Sequence, residues 1–249
     1  MTKKLVKSLA LGAVGSLLVA GSAMALPWGT NLRPVAIGSA YHGENSLQTE
    51  LDASYGSGVV NANTDQLAQG MFSVSTPGSS LIAPQFKFEW TANSTRQTVG
   101  IFGWDGSATT DAQIFSGVAE AGDYTTVKWT SGDDGVINSF HGTDAPVSTS
   151  FSDISRSDFG FYFSPNGTST KYYSVDSLND GEARVLGYMP TLAGAMFSYE
   201  DGTDWDYQDA GFFVESIKPV PEPATMFLLG TGLAGLAGVS RRRKAAKKS

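Results

Sequence analysis

The chain has 249 residues, a formal net charge of −7 and no cysteine, which excludes disulfides, thiol nucleophiles and cysteine metal sites. Its two histidines leave little for imidazole chemistry. Residues 26–220 hold eight basic and 23 acidic side chains, a net of −15; that balance excludes nucleic acid as a partner and suits a divalent cation.

In chain order, the first predicted element is a signal peptide over residues 1–25. Lys3, Lys4 and Lys7 give a positive start, an uncharged apolar run follows from Leu9 to Ala20, and Ala23-Met24-Ala25 supplies the small residues that signal peptidase accepts. An uncleaved anchor is the competing reading, but the run falls short of the roughly 20 residues that span a bilayer. Cleavage is expected after Ala25. A short linker, 26–38, leads into the body.

The body, 39–217, reads as all-β, with no convincing apolar stripe at helical spacing. Phe86, Phe88 and Trp90 alternate with Lys87 and Glu89, and Phe159, Phe161 and Phe163 share a face with Tyr162 opposite. Tyr124 to Thr130, Ala183 to Met189 and Gly211 to Ile217 alternate more weakly. Turn signals separate these runs at Pro77-Gly78, Asp105-Gly106, Gly132 to Gly135, Pro165 to Gly167 and Asn179 to Gly181. Many short strands with polar turns predict a single, jelly-roll-like β-sandwich.

Tryptophans invite a sugar-binding reading, because sugar rings stack on indoles; ordinary core packing competes with it. Trp104 and Trp129, close to turn residues, are the two expected to be exposed. His42 and His141 have no nucleophile-elbow pattern around them and read as surface or strand-end residues.

The segment from Phe197 to Asp209 is the most chemically loaded. Glu200, Asp201, Asp204, Asp206 and Asp209 fall within ten residues, with no basic residue among them. Such charges repel unless they are solvated, partly protonated or shared around a cation. Calcium, which takes six to eight hard oxygen ligands in irregular geometry, suits the set. A solvated acidic turn before the last strand and a catalytic pair are the other two readings. The spacing is not that of an EF-hand.

The C-terminus has three parts in order: Pro221-Glu222-Pro223 at the end of a linker, 218–223; an uncharged apolar stretch, 224–240; and a basic end, 241–249, that opens with Arg241, Arg242 and Arg243. The stretch is at the lower limit for a transmembrane helix, and the basic end would stay cytoplasmic. This arrangement closely resembles the PEP-CTERM sorting signal of Gram-negative bacteria. The resemblance implies processing by an exosortase, transient anchoring in the inner membrane, and a final place at the cell surface or in an extracellular matrix rich in exopolysaccharide. Tyr199-Glu200-Asp201, Asp204 to Asp209 and Gly211 to Val214, with Tyr172-Tyr173-Ser174 and Leu178-Asn179 upstream, also resemble a domain of unknown function common in PEP-CTERM proteins. That similarity covers roughly residues 158–217 and departs at Gln208, where the family usually has Asn.

The expectation is therefore a non-enzymatic structural or adhesive surface protein, associated with exopolysaccharide or biofilm. A carbohydrate-binding module acting on exopolysaccharide is the alternative, and an extracellular hydrolase the third.

Overall fold

The computed structural model describes residues 35–40, 43–67, 70–76, 79–89, 96–117, 119–165, 169–191 and 194–220. The expected signal peptide with Ala23 and Ala25, and the residues Pro221, Glu222, Pro223, Arg241, Arg242 and Arg243 with the apolar stretch between them, lie outside these. So do His42 and Trp90.

Runs of alternating apolar residues become strands, and two antiparallel sheets result. The smaller has the order β10 (Tyr172–Tyr173), β9 (Gly160–Ser164), β4 (Thr98–Trp104), β5 (Thr109–Phe115). The larger runs β11 (Val185–Thr191), β12 (Gly194–Tyr199), β13 (Ala210–Val214), β3 (Pro84–Glu89), β6 (Tyr124–Ser131), β7 (Asp134–Phe140), β8 (Val147–Phe151), with β2 (Leu81–Ile82) also paired to β6. A separate ribbon joins β1 (Phe72–Val74) to β14 (Ile217–Pro219).

The sheets bury one face against each other. Val99, Ile101, Ile114, Phe161 and Phe163 of the smaller sheet share a core with Phe86, Val127, Trp129, Ile137, Phe197 and Phe212 of the larger. The Phe161 ring lies 4.6 Å from that of Phe197 and 5.1 Å from that of Phe212. Each fully buried ring of this kind stabilises by about 1.5–3 kcal/mol.

The other face of the larger sheet is covered over β11, β12 and β3, while the outward residues of β6 and β8 stay exposed. Leu186, Tyr188 and Met196 alternate away from the first core and meet Leu47, Leu51, Val60 and Ala62 in a second one. Leu47 and Leu51 belong to a helix, α1 (Leu47–Tyr55), which the sequence reading did not contain. Two buried leucines at i and i+4 make no visible stripe, so the helix is held by its cap and its docking. Ser46 caps it by accepting from the Thr49 N–H, and Gly56 ends it at φ 96°.

The alternation read from the sequence breaks in β3 and again before β14. The register between β13 and β3 shifts so that Phe212 faces Phe86 while Gly211 faces Phe88. This bulge at Lys87 reverses the parity of the strand. Phe86 enters the first core and Phe88 the second, although the sequence put them on one face. The expected run Gly211 to Ile217 is likewise cut at Ser216, whose φ of 64° turns Ile217 into the separate ribbon.

Tyr162 lies on the outer face of the smaller sheet, against Gly100, where an added Cβ would sit 2.2 Å from its ring. Two side chains strap this face crosswise. The Tyr173 hydroxyl reaches Thr109 on β5 at 3.2 Å, and Lys171 crosses the Tyr162 ring to pair with Asp111.

Trp129 is corrected by the structure. It is 3 % exposed, packs on Phe151 and Phe159, and donates its indole N–H to the Ile154 carbonyl at 2.6 Å. A turn neighbour did not make it a surface residue, because its place in β6 points it inward. Trp129→Ala is expected to lower stability by about 3–5 kcal/mol, read as an earlier midpoint in urea denaturation.

Candidate functional site

The acidic segment is the connection between β12 and β13, two adjacent strands of the larger sheet. Its ends are therefore fixed by the ladder. Trp205 and Tyr207 sit in the left-handed region, at φ 58° and 57°, which costs non-glycine residues about 1–3 kcal/mol each. Tertiary contacts hold them there. Tyr207 is fully buried and donates its hydroxyl to the Ala183 carbonyl at 2.6 Å. The Trp205 ring lies 4.4 Å beneath the Arg184 guanidinium, and its carbonyl accepts from the Gly38 N–H. Gly38 is required at this contact, since a Cβ there would stand 2.1 Å from the Asp204 carbonyl oxygen.

The fold brings three of the five carboxylates together. One ligand oxygen from each of Glu200, Asp204 and Asp206 lies within 4.8 Å of the others, with Glu200 and Asp206 buried and Asp204 exposed. Glu200 is aimed by two backbone N–H groups: Gly202 donates at 2.8 Å and Tyr207 at 3.3 Å. Burial pushes the Glu200 carboxyl up to about 7, with Asp204 and Asp206 adding to the shift. Arg184 braces the turn by donating to the Gly202 carbonyl and to the Glu182 carboxylate.

The remaining two stand beside this trio. Asp209 accepts from the Asp201 N–H, and Asp201 accepts from the Gln97 side chain at 3.3 Å. Burial first, and then the charges of Asp201, Glu200 and Asp206, raise Asp209 to about 9. Gln208, at the position where the resemblance departs, is buried and donates to Glu44 at 2.7 Å. Gly38, Glu44, Gln97 and Arg184 all support the segment from a distance along the chain. No local signal marks them, and only the fold assembles them. Asn179 is a simpler case: it bonds both the N–H and the carbonyl of Tyr173 at 2.7 Å and so closes the loop after β10.

The C-terminal end of the body leaves through β14. Val220 donates its N–H to the Met71 carbonyl at 2.9 Å and is the last described residue. Residues 219–244 match the family model described as the PEP-CTERM protein-sorting motif. The chain carries a PEP-CTERM sorting signal. That signal implies processing by exosortase, export, and a place at the cell envelope or surface. No curated protein and no solved structure matches the chain. Among the described residues no helix is long and apolar enough to cross a membrane.

Two further candidates of this PEP-CTERM chain have definite places. Trp104 ends β4 and is 38 % exposed, beside the Asp105-Gly106 turn. His141 follows β7 and bonds the Asp123 carboxylate through Nδ1. Asp123 also accepts from the N–H groups of Glu120 and Gly142, so the pair ties together the loops before β6 and after β7.

The bond to Asp123 raises the His141 pKa above its usual 6.5 against a smaller opposing effect of desolvation, and Glu120 and Asp144 add to the rise. Burial pushes Asp123 upward, but its Glu120, His141 and Gly142 donors together outweigh that and leave it below 3.8. The histidine contribution is complete below pH 6.5 and fades as pH rises through the raised value; the aspartate contribution is complete above pH 3.8 and fades on acidification. The stability gap between the parent and His141→Gln should therefore be widest between pH 3.8 and 6.5 and shrink toward alkaline pH. Thermal midpoints across that series check it.

Proposed function

We propose that this chain is a structural or adhesive component of the cell surface or extracellular polymer layer, delivered by its PEP-CTERM signal and stiffened by calcium in the β12–β13 connection. The convergence of Glu200, Asp204 and Asp206 within 4.8 Å carries this reading. Two calcium–oxygen bonds of about 2.4 Å, end to end, span about 4.8 Å, so oxygens so placed suit a single ion. Three hard carboxylate donors and a solvent-facing Asp204 fit an ion that also keeps water ligands. Calcium would relieve the repulsion among these groups and lock the turn that Gly38 and Arg184 already brace. The net of −15 over residues 26–220 gives a cation the same general advantage.

The reading is non-enzymatic. A glycosidase needs two carboxylates facing each other across a cleft wide enough for a sugar, whereas these oxygens crowd one spot.

Calcium at a hundredfold its dissociation constant should stabilise the exported protein by about 2.7 kcal/mol, or roughly 5–11 °C in thermal midpoint for a body of this size. Chelator should reverse the shift, and Asp204→Asn with Asp206→Asn should abolish it. A midpoint indifferent to millimolar calcium would return the segment to a solvated acidic turn.

A second reading, binding of exopolysaccharide, draws on the exposed indole of Trp104. Trp104→Ala should then weaken retention on native polymer several-fold while leaving the thermal midpoint in place. Unchanged retention removes Trp104, and with it this reading.

A further inference from the structure

We infer that β14 has two uses that exclude each other: it closes the folded body, and it is the upstream flank by which the processing enzyme must hold the sorting motif. This rests on the PEP-CTERM reading of residues 219–244. The matched segment starts at Pro219, which is also the last residue of β14 and faces Phe72 of β1. Val220, the next residue, is hydrogen-bonded to Met71. No spacer separates that bond from Pro221-Glu222-Pro223.

Enzymes that act on a peptide motif commonly take it as an extended strand, with main-chain contacts along its edge. Here that edge is already engaged. Ser75 donates to the Ser216 carbonyl at 2.7 Å, Val220 donates to Met71 at 2.9 Å, and Ser73 faces Lys218 between them. The side chains are committed as well, since Ile217 is fully buried and Phe72 nearly so. The closed ribbon keeps the flank of the motif from the enzyme. Yet among the described residues β14 has β1 as its one ladder partner, over three residue pairs, and an edge strand this short opens locally while the fold around it stays closed. Opening of β14 is thus the step that admits the enzyme, and its equilibrium sets the rate at which a folded precursor loses its tail.

A disulfide across the ribbon tests this. Bonds at Ser75–Ser216 and Met71–Val220 make Ser73 and Lys218 a hydrogen-bonded pair by alternation; such pairs have Cα atoms about 5.5 Å apart, within disulfide range. The chain has no cysteine to compete. The full precursor carrying Ser73→Cys with Lys218→Cys is expressed in its exporting host, and loss of residues 241–249 is followed by mass spectrometry. The parent is the control: if it keeps those residues, the sorting reading itself fails, whatever the ribbon does. With the parent processed, the oxidised double variant should lose its tail about tenfold more slowly or worse, while each single variant matches the parent. A flexible spacer of about six residues between Val220 and Pro221 should restore the locked variant. Processing of the oxidised variant at the parental rate overturns the inference. So does a spacer that restores nothing, because the lock would then act elsewhere than on the reach of the motif.

Discussion

Phe161, Phe197 and Phe212 meet between the two sheets, and in an exported chain without cysteine no covalent bond shares their task. Glycines at 100 and 160 let Tyr162 and Phe102 lie down on the outer face of the smaller sheet, where any Cβ would meet their rings at 2.2 Å. Lys171 and Tyr173 then cross that face to β5. On the far side, α1 and residues 60–62 cover the β11, β12 and β3 part of the larger sheet. Strands buried on both faces cannot slip register without exposing one core or the other.

That rigidity is what allows the β12–β13 connection to hold an arrangement which is unfavourable by itself. Phe197 and Phe212, at the heart of the core, lie on the two strands that carry it. Two left-handed non-glycine residues and three crowded carboxylates oppose the loop's conformation. A buried tyrosine, a guanidinium over an indole and the close approach of Gly38 offset them. A loop of this length without such anchors would spread its charges into solvent. The same logic, weaker, holds His141 to Asp123 across two neighbouring loops.

The exit of the chain follows a different design. β14 is short and stands outside both sheets, yet it seats Ile217 in the main core. The body and its address label are joined at a strand that is easy to open and favourable to close.

The sequence by itself determined the class of fold and the destination. Alternation at Phe159, Phe161 and Phe163 and the turn glycines depend only on neighbours along the chain, as does the order of motif, apolar stretch and basic end. It also located the acidic segment. Tertiary structure alone decided which residues face which core and which carboxylates meet. The bulge at Lys87, which parts Phe86 from Phe88, exists only against the register of β13. Trp129 goes inward because of its place in β6, although it stands next to a turn. Two leucines make a helix only because a sheet face awaits them. Glu200 joins Asp204 and Asp206, while Asp201 turns to Gln97, because the turns fall at Trp205 and Tyr207 and their anchors lie far away in sequence. Local pattern specifies strands and signals; the choice of face and partner belongs to contacts that no local pattern encodes.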